Sequence, residues 1–575
     1  MRRLKVITAV GTAAFVLALV PRDAQACGGF FCGQQPVDQT AERIVFAVNA
    51  DGTTTMITQI TYRGDAENFA WILPLAQVPA VESLGTFPQR ALVALDARTG
   101  PQFQMPSDCY GWLFEANASS GPPTAGGGEV TVHIRAEVGP YDVAVVESRD
   151  PVALVEWLRG NDFRVTSPME PYIRTYTDEG MKFLALKLRR GRDVSDILPF
   201  RLTLQGETPS IPIRLTALAA EPEMGITVFV LGDRRYGPAN WAEVEVNDAD
   251  LVWRPYSYPT ETNWTALVAR SVDAAGGHGF VTEMAGATVE MAALVRDTMT
   301  SDPEQLAARD ALLPLLEDHP YITRLYTRLS PEEMTLDPIF RRTAGGDVSP
   351  LRMLPRVVHG EDVCADPSMP GGGPMDFGSP CDFAACGAGG LCREVADSTA
   401  PGGSVAGCAC APGTTARTTM DPSGRATVTC QDLRMSFLNP GDREVPGALP
   451  LPDPCVGFSC GEGGRCSSMN LTPTCICDEG LVAVGGFDDL GVRSTRCTTP
   501  TEVVPPSFYD WRPSPLPPSL PGGRVVDVPP VAVLAIGGGG GGFCSASPSG
   551  STGGASSLLV VLGALALVAV RRRRQ

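Results

Sequence analysis

The sequence predicts a multidomain protein: a β-rich α+β N-terminal domain, then two small disulfide-rich modules and a C-terminal transmembrane helix. Three observations carry this expectation. Twelve of the seventeen cysteines fall into two sets of six with like spacing. Glycine (62) and proline (51) together make up about a fifth of the 575 residues, against a typical share of roughly 12%. That excess disfavours an all-helical chain and favours turn-rich β structure joined by linkers. Hydrophobic residues at 43% and charged residues at 19% supply a sizeable core rather than wholesale disorder, and at about 150 residues per domain the length allows three or four units. The formal net charge is −18. An acidic body repels phosphate backbones, so nucleic-acid binding is excluded.

The first element is a signal peptide, residues 1–26. Met1-Arg2-Arg3-Leu4-Lys5 is a basic start, Val6 to Val20 is an apolar run, and Ala24 and Ala26 stand at the −3 and −1 positions of a cut before Cys27. This is the build of a secretory signal, and the run is short for a membrane span. A lipoprotein signal acylated at Cys27 is the alternative, which Ala24 and Gln25 fit poorly.

The large N-terminal domain, residues 27–364, reads as mostly β. Alternation and β-branched runs predict strands over Arg43–Asn49, Thr53–Tyr62, Val130–Val138, Asp142–Val146, Lys182–Leu188, Arg201–Leu204, Ile211–Leu215, Ile226–Leu231 and Ala242–Val246. Helices are expected over Pro151–Arg159, Thr262–Asp273, Val289–Met299 and Pro303–Leu316. Asp150 before Pro151 and Asp302 before Pro303 each place an N-cap ahead of a first-turn proline. Strands first and helices later imply an α+β domain or a sandwich with a helical appendage.

After a Pro/Gly linker, 365–380, the cysteines repeat. The order Cys381-x4-Cys386-x5-Cys392-x15-Cys408-x-Cys410-x19-Cys430 is followed by Cys455-x4-Cys460-x5-Cys466-x8-Cys475-x-Cys477-x19-Cys497. The first three cysteines recur at an offset of 74 residues and the last three at 67. Blocks 381–430 and 455–497, joined by a connector 431–454, are therefore a duplication. A block of about 45 residues cannot bury enough apolar surface alone, and each bridge adds on the order of 2–4 kcal/mol. Zinc would want two C-x2-4-C pairs, which these spacings lack.

Six cysteines, a C-x-C between the fourth and fifth, and Gly413 or Gly480 shortly after make each block resemble an epidermal growth factor-like module. The resemblance implies first-to-third, second-to-fourth and fifth-to-sixth pairing: Cys381–Cys392, Cys386–Cys408 and Cys410–Cys430, then Cys455–Cys466, Cys460–Cys475 and Cys477–Cys497. The acidic motif of calcium-binding members is missing ahead of Cys381 and Cys455. Of the remaining cysteines, Cys27 with Cys32 and Cys109 with Cys364 is the favoured arrangement of three.

A Pro/Gly-rich stalk, 498–543, precedes a tail, 544–575, in which a transmembrane helix is expected at about 555–570, followed by Arg571 to Arg574. The glycine stretch with Cys544, the apolar run and the arginine cluster resemble the tripartite sorting signal of myxobacterial surface proteins. That resemblance implies processing by export and sorting machinery, with Cys544 as the anchoring residue.

Ala26-Cys27-Gly28-Gly29-Phe30-Phe31-Cys32, Thr58-Gln59-Ile60-Thr61-Tyr62, Phe69-Ala70-Trp71-Ile72-Leu73-Pro74 and Leu325 to Thr335 resemble the exported bacterial family DUF2330. The family has no assigned activity, so no catalytic residue carries over. The residues themselves give no catalytic set. His133, His278, His319 and His359 are the only histidines, and no His-Glu-x-x-His or phosphate loop is present. His133 reads as a structural strand residue and His278, among Gly276, Gly277 and Gly279, as a solvated turn. Glu332-Glu333 after Ser330-Pro331 reads as a capped acidic first turn more readily than an acid/base pair. Trp71, Trp112, Trp241, Trp253 and Trp264 read as core rather than a sugar platform. Asn117, Asn263 and Asn470 open N-x-Ser/Thr sequons. The expected function is a membrane-tethered surface protein with a binding, adhesion or structural role toward a protein or glycan ligand, without a cofactor. The alternative is a secreted hydrolase using Asp and Glu of the N-terminal domain.

Overall fold

Strands β1 (Asp38–Val48) and β2 (Thr53–Arg63) pair as an antiparallel hairpin. Its turn is set locally: Asp51 accepts from the Thr53 amide at 3.0 Å and Gly52 takes φ +82°. The structure is a computed structural model that describes residues 38–501, except 64–69, 107–131, 162, 164, 190–196, 255–259, 299, 365–377, 388, 421–424, 439–452 and 489–490. The signal segment, Cys27, Cys32, Cys109, Trp112, Asn117, the stalk beyond residue 501, Cys544 and the tail with its expected transmembrane helix lie outside the described residues.

The head continues through β3 (Ala70–Leu75), β4 (Gly85–Thr86), helix α1 (Gln89–Thr99), β5 (Val132–Val138), β6 (Tyr141–Glu147), α2 (Pro151–Gly160), α3 (Glu170–Asp178), β7 (Lys182–Leu188) and β8 (Phe200–Gln205). Then follow α4 (Ile213–Thr216), β9 (Ala220–Gly232), β10 (Ala242–Val244), α5 (Trp264–Ala274), β11 (Gly279–Ala287), α6 (Val289–Arg296), α7 (Pro303–Asp318) and β12 (Tyr321–Leu329). One mixed eight-stranded sheet runs β10-β11-β12-β9-β1-β2-β8-β4, and a four-stranded antiparallel sheet runs β3-β7-β6-β5. The large sheet is parallel where β1 meets β9 and where β10 meets β11.

Alternation along the central strands sorts side chains into two cores. Ile44, Phe46, Val228 and Val230 join a cluster shared with the small sheet and with α2, α3 and α5. Val45, Phe229, Leu231 and Ile322 face Leu92, Leu95, Met291 and Leu312 on α1, α6 and α7. Both faces of the sheet are buried, so its two middle strands carry continuous apolar runs, Ile44–Val48 on β1 and Val228–Leu231 on β9. The caps at Asp150 and Asp302 accept from Val152 and Glu304 amides, which starts α2 and α7 where the sequence places them.

Two expectations are corrected. Ile211–Leu215 is not a strand but leads into the short helix α4, entered from Pro212. Ile211, Ile213 and Leu215 are all buried, as is Arg214, so the apparent alternation reported burial and not pleating. The helices are also not an appendage: α1, α2 and α3 are interleaved with the strands, and α1 and α3 come in addition to the four helices expected.

Charge is buried inside the head. Arg324 on β12 donates to Glu283 on β11 at 2.5 Å and pairs with Asp96 on α1, while Trp264 on α5 donates to the other Glu283 oxygen at 2.8 Å. Asp96 also pairs with Arg43 on β1 at 2.9 Å. One network thus ties three strands and two helices.

The two cysteine blocks do not stand apart. Strands β13 (Gly390–Ala396), β14 (Ser404–Cys410), β15 (Thr414–Met420) and β16 (Ala426–Asp432) come from the first block. The second supplies β17 (Gly464–Met469), β18 (Thr472–Cys477), β19 (Val482–Phe487) and β20 (Arg493–Thr498). The sheets are β13-β14-β19-β20 and β16-β15-β18-β17. Each sheet joins the first hairpin of one block to the second hairpin of the other, through the Cys408–Ala483 and Ala416–Cys475 pairs. The bridges are Cys381–Cys392, Cys386–Cys408, Cys410–Cys430, Cys455–Cys466, Cys460–Cys475 and Cys477–Cys497, with Cα separations of 5.4–5.7 Å. Cys410–Cys430 and Cys477–Cys497 each cross from one sheet to the other. Cys364 is also disulfide-bonded, to a partner outside the described residues. Among the described residues no helix is long and apolar enough to cross a membrane.

Arg324→Met leaves Glu283 buried without its guanidinium. Denaturant unfolding is expected to show a loss of about 3–5 kcal/mol; a loss below about 1 kcal/mol, the scale of exposed pairs, would show the network to be incidental. Replacing Cys410 and Cys430 with Ser is expected to cost about 2–4 kcal/mol and to raise amide exchange in β18, in the other block. Unchanged protection of β18 would mean that the blocks fold separately.

Candidate functional site

The disulfide-rich unit docks on the head where strand β9 is irregular. The β1–β9 register jumps from Gln39–Ala220 to Ala41–Gly225, so residues 221–224 bulge. Glu223 sits there with φ +57°, a left-handed conformation rarely taken by a non-glycine residue. The bulge turns two buried carboxylates, Glu221 and Glu223, toward the other unit. Glu221 pairs with Arg493 on β20 at 3.1 Å and Arg417 on β15 at 3.4 Å. Apolar groups close the same seam: Phe437, Leu438 and Leu471 belong to the head's main core. Asn470 accepts from the Phe437 and Leu438 amides at 2.5 and 3.2 Å.

Behind the seam lies a cluster of four buried carboxyl groups: Glu223, Asp273 on α5, and Glu332 and Glu333 in the turn after β12. Ser330 and Glu333 form a capping box, with Glu333 accepting from the Ser330 amide at 2.8 Å. Ser330 also donates from its hydroxyl to Glu223 at 3.4 Å, and Arg328 stands 3.7 Å from Glu223. Among the described residues neither carboxyl oxygen of Glu332 has a partner on another residue, and only its own backbone amide opposes the shift. Burial pushes the Glu333 carboxyl up to about 7, and the charge of Glu223 adds to it. Burial drives Glu332 and Asp273 well above the ordinary carboxylate range, with the neighbouring acids reinforcing the shift. In Glu223 burial outweighs the opposing pull of Arg328, and the carboxyl is raised. At neutral pH such a cluster holds protons that exposed carboxylates would have lost.

A cleft of about 580 Å³ opens between the head and the first cysteine block. Asp273 forms part of its wall with Leu267, Arg270 and Val357 of the head, facing Asp382, Cys386 and Gly387. Arg270 donates across it to the carbonyls of Cys381, Asp382 and Ala384 at 3.1–3.4 Å. His359 bonds Asp382 at 2.9 Å.

The residues singled out from sequence separate into used and unused. His278 is half-buried and bonded to the Glu333 carbonyl at 3.1 Å and the Thr335 hydroxyl at 2.9 Å, not in a solvated turn. Gly277 permits this: at φ +74° any Cβ would lie 2.5 Å from that of Glu333. Burial lowers the His278 pKa, so its neutral form is favoured. His319 closes α7 on the Leu315 carbonyl at 2.8 Å. His133 falls in β5, its side chain outside the described residues. Trp71, Trp241, Trp253 and Trp264 are all core. Asn263 and Asn470 are buried acceptors of backbone amides and not surface sequons. Glu332-Glu333 forms a capped turn, yet the turn is only three residues long and entirely buried. Sequence reasoning missed Glu223, Asp273 and Arg270. Nothing in an isolated strand or helix pattern marks a residue that a bulge or a second unit will bury.

Among the described residues, no group of three or more His, Cys, Asp and Glu is arranged to hold a metal ion. No curated protein and no solved structure matches the chain. Residues 21–341, more than half of the chain, match the family described as "Uncharacterized protein conserved in bacteria (DUF2330)". That match ends shortly after the Glu332-Glu333 turn and takes in the whole large sheet; the chain belongs to the DUF2330 family.

Proposed function

We propose that this is an exported, surface-tethered binding protein that seats a protein or glycan ligand in the cleft between head and disulfide-rich unit. The observation that carries the reading is the cleft itself, about 580 Å³, within the range of pockets that enclose small ligands or side chains of larger ones. Its wall mixes apolar Leu267 and Val357 with the polar Arg270, Asp382 and His359, the combination that fixes orientation while burying area. Export is supported by the density of bridges, since disulfides persist in oxidising compartments. Cys544 and the apolar, arginine-tipped tail are the proposed anchor, and the two cysteine blocks are read as a fused pair of epidermal growth factor-like modules.

A second reading, a surface hydrolase, has its own support: Asp273 borders the cleft and hydrogen-bonds Glu333, so an acid with a raised pKa stands beside a ligand-sized space. Screening the full mature chain against glycan and peptide libraries separates the two. Retention without turnover is expected, and Val357→Trp, which fills the cleft from an exposed position, is expected to weaken retention at least about tenfold, or 1.4 kcal/mol, with the unfolding midpoint unchanged. Turnover without retention would establish the hydrolase, and neither retention nor turnover would leave a purely structural envelope role.

A further inference from the structure

We infer that Glu223, Asp273, Glu332 and Glu333 form a pH-sensitive latch between the head and the disulfide-rich unit, closed while they share protons and loosened as they ionise. The inference concerns the seam and stands whether or not the cleft takes a ligand. Geometry places the cluster there. Glu223 rises from the β9 bulge toward Gly387, where an added Cβ would come within 3.5 Å of its carboxyl and within 3.1 Å of the Cys430 carbonyl. Glu332 interacts electrostatically with Asp432 at the end of β16. Asp273 borders the cleft that separates the two units.

The surrounding charges do not balance four carboxylates. From β12, Arg328 faces Glu223 at 3.7 Å. From the other unit, Asp432 adds a negative charge, and Arg434, held by Asp432 at 2.6–3.2 Å, acts on Glu332 only at longer range. Arg417 and Arg493 converge on Glu221, and Arg270 on α5 is directed to the carbonyls of 381, 382 and 384. His278, after α5, meets the Glu333 carbonyl and Thr335 rather than a carboxylate. Glu332 is the decisive member: it is 5% exposed and, among the described residues, neither of its oxygens has a partner on another residue. Such a group is tolerated when protonated and strongly disfavoured when charged.

The direction follows from the raised pKa values. A carboxyl that is easier to protonate in the closed state than in the open one stabilises closure at low pH. That stabilisation is lost as pH rises from the ordinary carboxylate range through about 7 for Glu333; Glu332 and Asp273, also raised by burial, act in the same direction. Within that window each group changes the open-to-closed ratio about tenfold per pH unit.

Hydrogen exchange of the full disulfide-bonded chain, corrected for intrinsic rates, tests this at about pH 5 and about pH 8. Residues 386–387, 389–390, 426–432 and 332–337 are expected to lose at least about tenfold protection at the higher pH, while the β1–β2 hairpin is unchanged. Glu332→Gln is expected to diminish the loss of seam protection between the two pH values by about tenfold, the share of one titrating group, and Glu462→Gln, at an exposed position, to behave as the wild type. Equal loss in β1–β2, no loss at the seam, or an undiminished response in Glu332→Gln would overturn the latch. Should Glu332→Gln fail to fold, the wild-type comparison of seam and hairpin decides alone.

Discussion

A carboxylate removed from water must be neutralised, and the bulge in β9 brings two of them to the junction of the two units. Glu221 meets that demand with Arg417 and Arg493, drawn from both sheets of the disulfide-rich unit. Glu223 meets it only in part, through Arg328 and the Ser330 hydroxyl that donates to its carboxyl, and joins three further acids that rely on protons. The docking of the cysteine blocks is thus coupled to the charge state of the head's interior. Were the disulfide-rich unit absent, Glu221 would lose both its cations and the head's core would lose Phe437, Leu438 and Leu471, which complete it. The family segment ends at residue 341, yet its core is finished by residues a hundred positions further on.

The duplication in the cysteines acquires a physical purpose in this arrangement. One block alone offers two short hairpins, and neither block has a core beyond its sulfur atoms and a few small side chains. Exchanging hairpins gives two four-stranded sheets with sulfur bridges between them, and the Asn470-Leu471 turn, at φ +50° and +63°, inserts Leu471 into the head. Loop-closure restriction and shared packing act together: the bridges limit the open chain, and the partner block supplies the burial that about 45 residues cannot.

For function, the consequence is that the cleft and the acid cluster belong to the same boundary. Asp273 is common to both, so any change at the boundary alters the cleft wall. Enzyme chemistry would need the same acids to reach a substrate, whereas Glu332 and Glu333 are turned inward beneath a capped turn. Burial that raises a carboxyl pKa is common to catalytic acids and to packed interfaces; here the companion groups, Glu221 with its two arginines and the apolar plug, are those of an interface.

By itself the sequence determined the organisation that depends on short-range order. The Asp150-Pro151 and Asp302-Pro303 caps, the Asp51-Gly52 turn and the strands with β-branched runs all act over a few residues, and a cysteine repeat is visible without any fold. The β-rich character and the disulfide-rich C-terminal region follow from the same local and compositional signals. Only the tertiary structure decided how the blocks exchange hairpins, because the single residue pairs that join them link strands about 60 to 75 positions apart. It also decided that Ile211–Leu215 coils instead of pleating, since complete burial removes the periodicity that separates helix from strand. The acid cluster lay beyond the sequence for a related reason. Glu223, Asp273, Glu332 and Glu333 each look like ordinary surface acids in their own segments, and they become a site only when a strand bulge, a helix end and a turn are buried together against a second unit.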